Sequence, residues 1–281
     1  MDFRTPEGQQ RYDALVEAAA TAVVGLDFDG TLSPIVEDPA TAVIHPDAPA
    51  VLAALASVVR AVAIVTGRPA RQVVDLGRLE EVAEALPDGC TVYVLGQYGN
   101  ERWDSTSRAF SAPEPPAGLA AFGAELPGIL AACDASAAFV EDKGLALVVH
   151  TRRLPDGDTA YLRLEPALAD AAERHGLVLQ QAKQALEVRA PGSHKGDAVH
   201  LLAAELGPGA VLFVGDDLGD IEAFEAVRVL RDRGLPGLLV CSGSAEQDAL
   251  CALSDLVVDG PAGTVGFLRR YADDARRRHV R

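Results

Sequence analysis

The sequence is poor in aromatic residues, which fill 5% of its 281 positions with a single Trp, and it has a single Met. A core of that make-up has to be built from Ala, Val and Leu. Ala-rich helices lying close against Val- and Leu-rich strands suit a parallel sheet clad in helices. No run of about 18 apolar residues occurs, so no membrane span is expected. The opening M-D-F-R-T-P-E-G-Q-Q lacks the basic-then-apolar order of a secretory signal. Cysteine is sparse too: Cys90, Cys133, Cys241 and Cys251 form no C-x-x-C pair, which points to free thiols in a cytoplasmic protein. The six histidines form no H-E-x-x-H or other zinc spacing. Cations are outnumbered, 25 Lys and Arg against 41 Asp and Glu, for a net charge of −16. That balance argues against nucleic acid as a partner and against docking on an anionic membrane. A small anionic substrate is still admissible, because a bound cation inverts the local field.

What is present is an alternation of strands and helices. A polar opening helix leads to the strand T-A-V-V-G-L-D, and the helix A-P-A-V-L-A-A-L-A-S-V-V-R to the strand A-V-A-I-V-T. A helical stretch near R-L-E-E-V-A-E-A-L then precedes the strand T-V-Y-V-L-G. This repetition predicts a doubly wound, Rossmann-like parallel sheet of the α/β class. The turn-rich S-A-P-E-P-P-A-G breaks the pattern. Beyond it come a helix, two strands joined tightly at Gly144, a second helix and the strand A-L-E-V-R, the order of a small antiparallel α+β unit. After A-P-G-S-H-K-G the first pattern resumes and runs to a basic-tailed helix. The expected organisation is a core from residues 1–111 and 190–281, interrupted by an inserted α+β cap over 112–189.

The sharpest chemical signal is V-V-G-L-D-F-D-G-T-L. Period two puts Asp27 and Asp29 on one side of a strand end and Phe28 on the other, toward packing. Ligands of open parallel sheets bind at the carboxyl ends of the strands, and Gly30 lets the chain leave sharply. An EF-hand fails, because its later ligand positions are missing. A second apolar strand, A-V-L-F-V-G-D-D-L-G-D, ends in Asp216, Asp217 and Asp220. Two unit charges ~4 Å apart repel by roughly 4 kcal/mol at an effective dielectric of ~20. Carboxylates gathered from two such strands therefore need protons or a hard cation, and magnesium, with its preference for oxygen ligands and phosphates, fits. Asp220 has a plainer alternative as the cap of the next helix. At the end of I-V-T-G-R-P, Thr66 offers a hydroxyl and exposed N–H groups to a phosphoryl oxygen, or merely precedes a helix that starts at Pro69. Lys195 opens a helix, where the dipole disfavours a cation; it either binds an anion or is simply solvated.

Together D-F-D-G-T-L, T-G-R, the later lysine and G-D-D-x-x-D resemble the haloacid dehalogenase superfamily in motif and order. Over nearly the whole chain the segments G-Q-Y-G-N-E-R-W, V-E-D-K-G-L-A-L-V-V-H-T-R, L-E-V-R-A-P-G-S-H-K-G-D-A and G-D-D-L-G-D-I-E-A-F resemble its trehalose-6-phosphate phosphatase family, short bacterial type. The resemblance implies a magnesium-dependent hydrolase of a small sugar phosphate that works through an aspartyl phosphate. Asp27 would be the nucleophile, and Asp29 the acid that protonates the leaving sugar oxygen and later the base that activates water. Magnesium would sit on Asp27, the backbone carbonyl of Asp29 and Asp216, with Asp217 and Asp220 behind it. Thr66 and Lys195 would hold the phosphoryl oxygens, and Arg68 would support that loop or meet substrate. In the cap, Glu141, Lys143, Arg152 and Glu187 match positions the family uses for sugar hydroxyls, with His150 and Arg189 as weaker matches. The expected state is a cytoplasmic monomer.

The family often carries Ser where Thr66 stands, Thr at Gly219 and His at Tyr98, and none of these departures removes a catalytic group. Sibling activities on sucrose phosphate, a mannosyl phosphate or a trehalose-like pseudo-disaccharide phosphate differ only in cap contacts. A phosphoryl-receiver domain would be short, with an adjacent acidic pair on its first strand. A catalytically dead sensor would have lost one of Asp27, Asp29, Thr66, Lys195 or Asp216.

Overall fold

Short apolar runs set the centre of the fold. The computed structural model describes residues 3–36, 38–182, 184–192, 194–243 and 248–279. In chain order, α1 (Pro6–Glu17), β1 (Ala22–Leu26), α2 (Ala48–Ala56), β2 (Ala61–Val65), α3 (Ala70–Leu76), α4 (Leu79–Ala85) and β3 (Val92–Gly96) build the first half of the large unit. Two short strands, β4 (Glu101–Asp104) and β5 (Phe110–Ser111), close it. The second unit holds α5 (Leu119–Ala132), β6 (Phe139–Asp142), β7 (Ala146–His150), α6 (Gly157–Arg174), β8 (Val178–Ala182) and β9 (Ala185–Arg189). The chain then returns through α7 (Lys195–Leu206), β10 (Ala210–Gly215), α8 (Ile221–Asp232), β11 (Gly237–Gly243), α9 (Asp248–Leu253), β12 (Leu256–Asp259) and α10 (Gly260–His279).

By contacts the chain divides into Met1–Ala112 with His194–Arg281, and Pro113–Ser193. The large unit carries one eight-stranded sheet in the order β12-β11-β10-β1-β2-β3-β4-β5. From β12 to β3 the neighbours are parallel, and β4 and β5 extend the edge antiparallel. Strands β1 and β2 are buried at every position, as strands covered by helices on both faces must be. One apolar layer packs Leu15, Leu52, Trp103 and Tyr271 against the sheet, and the other packs Val199, Phe213 and Phe224.

Strand order reverses at β1, whose neighbours β10 and β2 lead the chain away in opposite directions. That switch point opens a crevice at the carboxyl ends of the strands. Leu26 is level with both Val214 and Ile64, so the residues just past β1, β10 and β2 emerge side by side.

The second unit is a four-stranded antiparallel sheet, β6-β7-β9-β8, with α5 and α6 on one face. Phe122, Leu164, Leu168, Leu186 and Val188 are fully buried between them. The turn from β6 to β7 lies at Gly144, with φ 80°. Strand β8, β4, β5 and the short α9 were not foreseen from sequence, whereas α3 starts at Ala70, directly after Pro69, where a helix start was one of the two readings. Among the described residues no helix is long and apolar enough to cross a membrane.

Candidate active site

Asp27 is the first residue beyond β1, and its N–H still donates to Val214 O at 2.9 Å. Strand β1 therefore runs in register with β10 to the point where the carboxylate begins. Phe28 turns into the core and is fully buried, which leaves Asp27 and Asp29 on the crevice side. Gly30 has φ 68°, and a Cβ on it would lie 2.0 Å from Asp216 Oδ2, so any side chain there would displace Asp216. Ser242, at the end of β11, donates its hydroxyl to Gly30 O at 2.7 Å and pins the turn from the other side.

Lys195 is 5% exposed and its Nζ stands 2.7 Å from both Asp27 Oδ1 and Asp220 Oδ1. The helix start would disfavour the ammonium; two buried carboxylates outweigh it. Asp220 does not cap α8 with its side chain. Its second oxygen turns back and accepts the N–H groups of Asp216 (2.9 Å) and Asp217 (3.2 Å). Asp217 is exposed and accepts from Gly219 N at 2.8 Å. Asp220 is thus a brace between Lys195 and the loop that carries Asp216.

Thr66 directly follows β2 and is buried. Its Oγ1 accepts the Arg68 N–H at 3.2 Å, which leaves the hydroxyl proton to donate. The Arg68 guanidinium meets Asp29 with Nε–Oδ2 at 2.6 Å and Nη2–Oδ1 at 2.7 Å, while Nη1 donates to Pro39 O at 2.8 Å. Arg68 therefore holds Asp29, a more definite part than the loop support read from sequence.

Burial pushes the Asp27 carboxyl well above the usual range; Lys195 opposes the rise, and Asp220, Asp216 and Asp217 add to it. Burial, reinforced by Asp220 and Asp217, pushes Asp216 up to about 8. Asp220 is raised by burial as well, against Lys195. For Lys195 burial would favour discharge, but Asp220 and Asp27 hold it protonated well above its ordinary value. One ammonium cannot balance this cluster. Asp27, Asp216 and Asp220 each offer an oxygen, all within 4.8 Å of one another. Both oxygens of Asp220 are engaged, so Asp27 and Asp216 are the carboxylates available to a cation. An all-oxygen donor set fits a hard ion such as magnesium.

In the second unit a separate group of polar side chains shares the sheet face opposite its helices. Glu141 and Glu187 both lie level with Val148, on either side of β7. Lys143 Nζ is 2.8 Å from Glu187 Oε2, and His150 Nε2 is 2.9 Å from Glu141 Oε2. Gln180 is level with Glu187, and Arg189 follows Glu187 by two on β9. Arg152 is exposed, and its Nε points to Gln184 Oε1 at 3.3 Å, in the turn from β8 to β9. Of the four cap residues expected from sequence, the structure joins Lys143 to Glu187 and sets Glu141 on the same face. Ser242 was missed, because a serine ending an apolar strand is a faint signal.

The profile of the trehalose-phosphatase family matches residues 25–102 and 132–255. A probable trehalose-phosphate phosphatase of Sinorhizobium fredii is 33% identical over 213 residues, 73% of either chain. Trehalose-phosphate phosphatase B of Arabidopsis thaliana is 30% identical over 96% of this chain and 72% of its own. In fold, the C-terminal domain of the Candida albicans trehalose-6-phosphate phosphatase superposes with a TM-score of 0.77 at 20% identity, covering 97% of this chain and 98% of that one. The match spans both the strand-end carboxylates and the cap strands: the chain belongs to the trehalose-phosphatase family.

Proposed function

We propose that the protein hydrolyses trehalose 6-phosphate to trehalose and phosphate through a phosphorylated Asp27. The observation that carries this reading is the placement of Asp27: buried at the switch point, 2.7 Å from Lys195 and two residues before Asp29. An Asp27 oxygen attacks phosphorus while the bond to the sugar oxygen breaks, and Asp29 delivers a proton to that oxygen. Asp29, now a base, takes a proton from water, whose oxygen attacks phosphorus and releases phosphate and the Asp27 carboxylate. Thr66 and Lys195 donate hydrogen bonds to the phosphoryl oxygens as charge builds on them. Magnesium, held by Asp27, Asp216 and the backbone carbonyl of Asp29, would neutralise charge shared by the carboxylates and the phosphoryl group. Asp220 and Asp217 keep the Asp216 loop in place. Glu141, Lys143 and Glu187 bind sugar hydroxyls, with Arg152 at the margin. The core and cap divide the labour, the first doing chemistry and the second choosing the sugar. The protein acts as a cytoplasmic monomer.

The deciding experiment is phosphate release from a panel of sugar phosphates, with magnesium or with EDTA. Preference for trehalose 6-phosphate in magnesium supports the reading. Preference for sucrose phosphate or a mannosyl phosphate would move the substrate and leave the chemistry. No release from any of them would sink the proposal.

A further inference from the structure

Beyond Gly96 the chain leaves β3 through three residues of positive φ: Gln97 (45°), Tyr98 (62°) and Gly99 (99°). Glycine adopts this region freely, but two successive residues with side chains persist there only where their surroundings fix them. Their N–H groups say what is gained. Gln97 N donates to Arg68 O at 2.8 Å and Tyr98 N to Thr66 O at 2.9 Å. The turn thus grips the backbone on both sides of Gly67. The Tyr98 ring closes over it: a Cβ on Gly67 would come within 2.8 Å of Tyr98 Oη.

Glu101, on β4, fastens the turn. One of its oxygens accepts from Gln97 Nε2 at 2.7 Å, the other from Ala70 N at 2.5 Å. Gln97 is 3% exposed, so its bond to the carboxylate is shielded from water. Ala70 opens α3 directly after Thr66–Pro69. A single carboxylate therefore ties the strained turn to the helix that continues the loop bearing Thr66 and Arg68.

We infer that Glu101 is a positioning residue for phosphoryl transfer: through Gln97 and Ala70 it sets the loop that aims the Thr66 hydroxyl and holds the Arg68–Asp29 pair. It touches no substrate itself, and the inference rests on the function proposed above. Displacing a group by an ångström can cost on the order of a hundredfold in rate, so a loop with one correct setting matters most at the transition state.

The test compares Glu101→Ala and Glu101→Gln with the parent protein in magnesium, by calorimetric titration with vanadate and with inorganic phosphate. Vanadate takes the five-coordinate geometry of the transition state; phosphate is the tetrahedral product. Glu101→Ala is expected to weaken vanadate about tenfold or more and phosphate less than about threefold. Glu101→Gln keeps one acceptor and turns an amide toward an N–H donor, so its loss falls in between. The fitted stoichiometry reports the folded fraction, and if Glu101→Ala does not fold, Glu101→Gln carries the test. Equal weakening of both ligands, or unchanged vanadate affinity in folded protein, would overturn the inference. A parent protein that binds vanadate tightly yet releases phosphate from no sugar phosphate would instead refute the proposed function.

Discussion

Arg68 grips both oxygens of Asp29, at 2.6 and 2.7 Å, in the two-pronged geometry that only a guanidinium supplies. A lysine keeps the charge and loses the fork. Arg68→Lys is therefore expected to lower kcat on trehalose 6-phosphate by roughly ten- to a hundredfold, because Asp29 loses its aim toward the sugar oxygen. p-Nitrophenolate leaves without a proton, so p-nitrophenyl phosphate hydrolysis should fall much less. Equal losses on the two substrates would mean that Arg68 serves a step they share, phosphate binding or the attack of water on phosphorylated Asp27, and not the acid step.

Asp27→Asn keeps the shape of the side chain and removes the nucleophile, so turnover should vanish in a folded protein. Beryllium fluoride, which mimics an aspartyl phosphate, should raise the melting temperature of the parent in magnesium and leave the variant unmoved. Near-parent activity in folded Asp27→Asn would rule out the covalent route.

The buried carboxylate cluster costs stability wherever its charges are left unbalanced. Burial and its neighbours raise Asp216 from 3.8 to about 8, so the metal-free folded chain holds a proton that the unfolded chain has lost. That contribution is fully present below about pH 4 and disappears as pH rises toward 8. A divalent cation bound by Asp27 and Asp216 would take the proton's place. Melting curves should show magnesium raising the transition more at about pH 8 than at about pH 5. In EDTA at about pH 8, Asp216→Asn should melt above the parent, since it removes a buried charge. An Asp216→Asn protein that melts lower there would mean that Asp216 is held by contacts independent of a metal.

The parallel strands were legible because each is an apolar run cut off by a polar cluster, and the spacing of Asp27 and Asp29 placed both at a strand end. Strand β8 was not, because V-L-Q-Q-A is an outer strand with its side chains largely exposed, and burial is what writes alternation into a sequence. Short β4 and β5 carry too few residues for a period to register. The part of Asp220 was open between cap and support; the structure settles it through the Asp216 and Asp217 N–H groups, partners no side-chain pattern reveals. Ser242 and Glu101 escaped for the same reason, since each acts on backbone groups of distant residues.

The last prediction concerns the sugar. Lys143 and Glu187 form a pair whose side chains are 13% and 8% exposed, on a sheet face that also bears Glu141 and His150. A buried ion pair of this kind is costly for folding alone, and its retention is rational if the same groups bind hydroxyls. Truncation to alanine would leave one partner uncompensated and confuse folding with binding. Glu→Gln preserves size while halving the acceptors, so Glu187→Gln and Glu141→Gln are the cleaner changes. A hydrogen bond between a charged group and a buried hydroxyl contributes about 1.5–3 kcal/mol, or roughly ten- to hundredfold in kcat/KM. Each variant should lose that much on trehalose 6-phosphate. On p-nitrophenyl phosphate, too small to engage those hydroxyl contacts, activity should stay within about twofold, because remote binding energy cannot be lost where none was used. Parallel losses on both substrates would assign the pair to the architecture of the cap. Unchanged kinetics on both would leave Glu141 and Glu187 as ordinary polar positions of a sheet face, and the choice of sugar would have to be sought elsewhere.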